Sequence, residues 1–119
     1  VAAENLPLPS VALSLQDGRL LMRNLGEFNV NWWGAGTGSA RADRDIDVSA
    51  HFVAPGSAFE LPAKTTRRLR SGQHVRFELY LSDASHKHYV ARFDATLTVR
   101  NGSLVDFEAG EPRMTAGGW

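Results

Sequence analysis

The sequence predicts an all-β domain in which two antiparallel sheets face each other as a sandwich. Three observations carry that prediction. Apolar and polar residues alternate with period two through much of the chain, the spacing that sends successive side chains to opposite faces of a strand. Turn signals, among them Asp17-Gly18 and Asn101-Gly102, break the pattern at intervals of roughly ten residues. Helical spacing is scarce, and "AKTTRRLRSG" lacks an apolar stripe long enough to hold a helix together.

The elements follow in order. "VALSLQDGRLLMRN" reads as a hairpin turning at Asp17-Gly18, with Val11, Leu13 and Leu15 facing inward. In "FNVNWW", Phe28, Val30 and Trp32 share the inward face, and alternation sends Trp33 outward beside Asn29 and Asn31. "DIDVSAHFV" is expected to bury Ile46, Val48, Ala50 and Phe52. "SAFELPA" is a short strand ended by Pro62, which cannot donate to a ladder. The clearest alternation comes next: Val75, Phe77, Leu79 and Leu81 against Arg76, Glu78 and Tyr80, then Tyr89, Ala91, Phe93, Ala95, Leu97 and Val99. After Asn101-Gly102, a three-residue loop with Gly102 left-handed in a bulge would place Val105 and Phe107 beside Leu97 and Val99. The total is about seven or eight strands.

Such a pattern resembles the immunoglobulin-type sandwich, with a small closed β-barrel as the alternative. The 119 residues suit one domain, 1–119, with extended segments at 1–9 and 110–119. Thirteen basic residues balance thirteen acidic ones, so no overall field draws the molecule to nucleic acid. Cysteine is absent, which excludes disulfides, thiolate metal sites and cysteine nucleophiles. The apolar runs fall far short of the roughly 20 residues of a spanning helix, so membrane insertion is not expected. "VAAENLPLPS" has the composition of a lead-in or of residues left behind by a cleaved leader, and points to a periplasmic or secreted location.

Candidate sites come from a few stretches. Trp33, flanked by Asn29 and Asn31 and joined by Tyr80 and Trp119, is a candidate platform for a sugar ring or a partner's aromatic anchor. Lys64, Arg67, Arg68 and Arg70 in "KTTRRLR" form a candidate anion site, because guanidinium forks grip phosphate in pairs of bonds. "GAGTG" lacks the following helix that a phosphate-cradling loop requires, and no cofactor is implied. His86 and His88 could share one side of a strand, but with no assured third ligand no metal site is assigned.

The Arg-rich stretch resembles that of cyclic-dinucleotide receptors of the PilZ type, in which Asp/Asn-x-Ser-x-x-Gly follows. Asp83-Ala84-Ser85 begins such a motif, and His88 stands where the glycine would be. This resemblance implies an anionic-ligand receptor using the arginines. No nucleophile elbow, His-Glu-x-x-His or P-loop occurs, so no enzyme is expected. The leading expectation is a non-catalytic interaction module that binds a protein partner through a sheet edge, an outer face or loops, within an exported assembly. A carbohydrate-binding module built on Trp33, taking an oligosaccharide, is the alternative.

Overall fold

The computed structural model describes residues 8–37, 44–62, 65, 74–101 and 103–119. Among them run β1 (Val11–Gln16), β2 (Arg19–Asn24), β3 (Val30–Thr37), β4 (Arg44–Val53), β5 (Ala58–Glu60), β6 (His74–Ser82), β7 (His88–Arg100), β8 (Ser103–Ala109) and β9 (Arg113–Ala116). One antiparallel sheet has the order β1-β2-β5 and the larger one β4-β3-β6-β7-β8. β8 pairs with residues 95–100 of β7, and β9 takes up residues 89–92 of the same strand. The two sheets pack together and form no closed barrel. Among the described residues no helix is long and apolar enough to cross a membrane.

Alternation along β6 and β7 builds the inner face of the larger sheet. Phe77 pairs with Phe93, Leu79 with Ala91 and Leu81 with Tyr89, and all six are buried. Val11, Leu20, Met22 and Leu61 meet them from the smaller sheet, with Leu13 and Leu15 partly buried at the margin. Each fully buried large apolar side chain contributes about 1.5–3 kcal/mol. Trp32 is fully buried between the layers, 5.1 Å from the Phe59 ring and 5.8 Å from His51. Asp17 and Gly18 both adopt positive φ, the conformation that a two-residue turn of matching twist needs.

Several inward assignments are corrected. In β4, Val53 pairs with Val30 and His51 with Trp32, so those two share the inner face. Phe52, opposite Asn31, is 64% exposed, and Ile46 is exposed opposite Gly34. Ala50 is half-buried, and the Val48 side chain lies outside the described ones. The strand keeps one alternation but in the opposite phase: Ile46 opposite Gly34 and Phe52 opposite Asn31 share the outer face of Tyr80 and Ser82, so the apolar row of "DIDVSAHFV" turns away from the core, while Trp33 alone faces residues 47–50 between the two paired pieces. Phe28 precedes β3 in an irregular bend and is exposed rather than buried.

The β7–β8 hairpin is corrected too. Arg100 pairs with Ser103 and Val99 with Leu104, and the extra residue is Val105, between Leu104 and Asp106. Leu104 and Phe107 are therefore buried while Val105 is exposed. The bulge restores the face of Phe107 as expected, a few residues later than expected. Finally, the segment 110–119 contains β9, a strand too short and too polar to show alternation.

Candidate functional site

One end of the sandwich gathers the ends of β2, β4 and β6 with the starts of β3 and β7. Residues here build two features, a groove on the core side and an aromatic cluster on the outer face of the larger sheet. The groove, of about 420 Å³, lies between the bend after β2 and the turn after β6. Leu8, Phe28, Val30, Asp83, Lys87 and Tyr89 are among its lining residues. Leu8 is 50% exposed and Phe28 54%, so large apolar side chains stand at its edge rather than in the core. Leu25, exposed in the same bend, lines a neighbouring groove of about 390 Å³ beside β1.

Local hydrogen bonds hold both walls. Asn24 is fully buried, and its side-chain amide donates to the Phe28 and Val53 carbonyls while its oxygen accepts from the Gly26 amide. That side chain replaces the missing ladder bonds of the bend. Opposite it, Asp83 organises the β6–β7 turn. One carboxylate oxygen accepts from the Ser85 amide at 2.9 Å, the Ser85 hydroxyl at 2.7 Å and the Lys87 amide at 3.0 Å. The other accepts from the Tyr89 hydroxyl at 3.0 Å.

Partial burial alone would raise the Asp83 carboxyl. The bonds from Ser85, Lys87 and Tyr89 together outweigh it and hold the group below its ordinary value. Burial, then the bond to the Asp83 carboxylate and its charge, push the Tyr89 phenol up. The turn is a charged but self-satisfied wall. Lys87 also stands 5.7 Å from the Tyr89 ring centroid, where a cation meets the ring's negative face.

On the outer face, the bulge at Trp33 turns that indole away from Trp32. Its N–H donates to the Ser82 hydroxyl at 2.8 Å, and its ring is half-buried. Gly117 and Gly118, both at positive φ, fold the chain after β9 so that Trp119 returns over the sheet. The Trp119 ring centroid lies 5.9 Å from Trp33 and 5.9 Å from Tyr80, and stacks on His88 at 4.1 Å with planes 10° apart. Its N–H lies 2.9 Å from the Tyr89 carbonyl and 3.3 Å from that of Leu81.

Thus three of the five residues expected to bind a ligand ring, Trp33, Tyr80 and Trp119, come together. Tyr80 is fully buried there, Asn31 is half-buried opposite Phe52, and Asn29 stands exposed in the bend that lines the groove. Beneath the rings sits a pair that the sequence reading overlooked. Glu78 is buried and accepts from Arg92 Nε at 2.8 Å and from the Tyr80 hydroxyl at 3.0 Å. Arg92 Nη1 also donates to the Thr115 hydroxyl of β9.

Lys64, Arg67, Arg68 and Arg70 lie outside the described residues. His88 is engaged with Trp119 while His86 is exposed at positive φ. Among the described residues no three His, Cys, Asp or Glu side chains gather as a metal would need. Compared with known proteins, the chain matches no family model, no curated protein and no solved structure.

Proposed function

We propose that this domain is a non-catalytic interaction module that takes an apolar segment of a protein partner into the groove between the β2–β3 bend and the β6–β7 turn. One observation carries the reading: Leu8 and Phe28 project half-exposed beside a cavity of about 420 Å³, with Leu25 exposed in the adjoining bend. Burying the remaining exposed halves of three such side chains is worth about 3 kcal/mol, the scale of a binding hot spot. The volume is at the small end of ligand pockets, enough for one or two anchoring side chains. Glu27 and Lys87 place opposite charges on the rim, where they steer a partner without being desolvated.

The experiment is selection of binders from a displayed library of random peptides, followed by affinity measurement on Phe28→Ser and Leu25→Ser. Selected peptides carry aromatic or large aliphatic anchors and lose at least about ten-fold in affinity on Phe28→Ser, with the melting temperature unchanged because that side chain is already half in water. Binders indifferent to both substitutions, or a response to oligosaccharides that Phe28→Ser leaves intact, would move the binding surface elsewhere and overturn the reading.

A further inference from the structure

We infer that the rim strand β1 pairs antiparallel with β1 of a second copy of this chain about a two-fold axis, joining their smaller sheets into one. This inference stands apart from the groove between the β2–β3 bend and the β6–β7 turn. The Leu25 amide donates to the Ser10 carbonyl at 2.8 Å, which makes Ser10 and Leu25 a hydrogen-bonded pair of the β1–β2 ladder. Such positions alternate along an antiparallel pair, so Ala12, Ser14 and Gln16 turn their amides and carbonyls to β2. Val11, Leu13 and Leu15 turn theirs the other way, where no described strand pairs with β1. An edge of this kind readily adds another strand, and proteins usually blunt it. The other described rims are blunted: β5 spans only Ala58–Glu60, β4 carries Arg44, Asp45 and Asp47 and a broken ladder, β8 carries Asp106, Glu108 and the Val105 bulge, and β9 is short and begins at Arg113. β1 is not. Val11–Gln16 has no charge, no proline and no break in register.

What fits this uncharged edge is the same edge turned round. Centred on Leu13, two copies set Leu13 opposite Leu13 and Val11 opposite Leu15, every one with its main-chain groups turned outward, for about six hydrogen bonds across the axis. The neighbouring registers lose a pair: they set Leu15 against Pro9, which has no N–H, or Val11 against Asp17, which is already bent into the turn. On the outer face Ala12 then meets Ser14 of the second copy, and no charge opposes its like. On the inner face Leu13 and Leu15 are only partly buried, and beside Leu13 a cleft of about 390 Å³ opens between β1 and the segment from Ala109 to Met114. The leucines of the second copy cover this margin of the core. Because the contact uses the same edge of both copies, the assembly closes at the dimer.

Sedimentation equilibrium over a dilution series reads the dissociation constant of the dimer. Ala12→Glu with Ser14→Glu opposes carboxylates twice by symmetry and weakens the dimer about ten-fold or more. Ala12→Glu with Ser14→Lys sets opposite charges at the same places and returns the affinity to that of the original chain or better. Both positions lie on the outer face of the smaller sheet, Ser14 exposed and Ala12 half-buried, so neither replacement enters the core. Amide hydrogen exchange on the unaltered chain gives a second reading that needs no variant. Protection of Val11, Leu13 and Leu15 rises with protein concentration, while that of Ala12 and Ser14, already bonded to β2, does not. A monomer at every concentration up to about 1 mM, a dissociation constant indifferent to the signs at Ala12 and Ser14, or concentration-dependent protection confined to other strands overturns the inference. Every measurement is made without peptide, so none bears on what the groove binds.

Discussion

Glu78 and Arg92 lie on the outer face of a sheet, where ion pairs are commonly solvated and weak, yet the Glu78 side chain is only 8% exposed and that of Arg92 27%. Such a pair should be measurably coupled. A charge-assisted hydrogen bond at 2.8 Å contributes about 1.5–3 kcal/mol, and the partial exposure of Arg92 trims that through solvent screening to about 1.5–2 kcal/mol. A double-mutant cycle with Glu78→Gln, Arg92→Met and the combination isolates the pairwise term, because Gln keeps the shape of Glu without its charge and Met keeps the unbranched apolar stem of Arg without the guanidinium. Urea unfolding at neutral pH supplies the free energies. The molecule carries its own control in Arg19–Glu60, 3.5 Å apart with side chains 67% and 51% exposed, where the same cycle should give about 0.5 kcal/mol or less. Gly118→Val should bring the inner pair down towards that control, since the tail helps to cover it. Equal coupling in the two pairs would refute the argument that the outer face is sheltered.

Three further outcomes are expected. Gly34→Ala should destabilise by about 3 kcal/mol in urea unfolding, because its Cβ would meet the Asp45 carbonyl and come within 2.8 Å of the Ile46 Cα, and backbone cannot step aside as a side chain can. A midpoint unchanged from the original would show that β3 and β4 are not so close there. Asp83, held below its ordinary value of 3.8, stabilises the fold while ionised; that contribution is complete above the ordinary value and is lost as pH falls through the lower, folded one. Melting curves taken from neutral pH down to about pH 3 should therefore fall more steeply for the original chain than for Asp83→Asn. Parallel curves would remove that role. Trp32 is fully buried and its indole nitrogen finds no hydrogen-bond partner among the described residues, so Trp32→Phe loses packing but also relieves an orphaned donor. Its net cost should stay within about 1.5 kcal/mol, against about 3–5 kcal/mol for Trp32→Ala.

Period two was sufficient wherever a strand kept one register over its whole length. β6 and β7 did so against each other, and their buried faces could be read residue by residue, as could the opposite placement of Trp32 and Trp33. β4 could not, because alternation shows which residues share a face but not which face meets the core, and pairing with β3 turns Ile46 and Phe52 to the outside. The Glu78–Arg92 pair was within reach of counting. Both residues lie seven positions from Ser85 at the middle of the β6–β7 turn, so a symmetric hairpin sets them face to face. Trp119 was singled out beside Trp33 and Tyr80 but its seat on His88 was not legible, since the return of the chain is decided by two glycines whose left-handed φ is permitted by sequence without being required.

The mismatch in length between β3 and β4 also bears on how this molecule behaves at high concentration. β4 ends the row of described strands in the larger sheet, a position from which a bare main chain can recruit copies of itself into fibres. Here the ladder holds in two separate pieces, Arg44–Ile46 and His51–Val53, so an incoming chain would find no straight template along it. The same irregularity that aims Trp33 outward thereby guards the rim against runaway self-association.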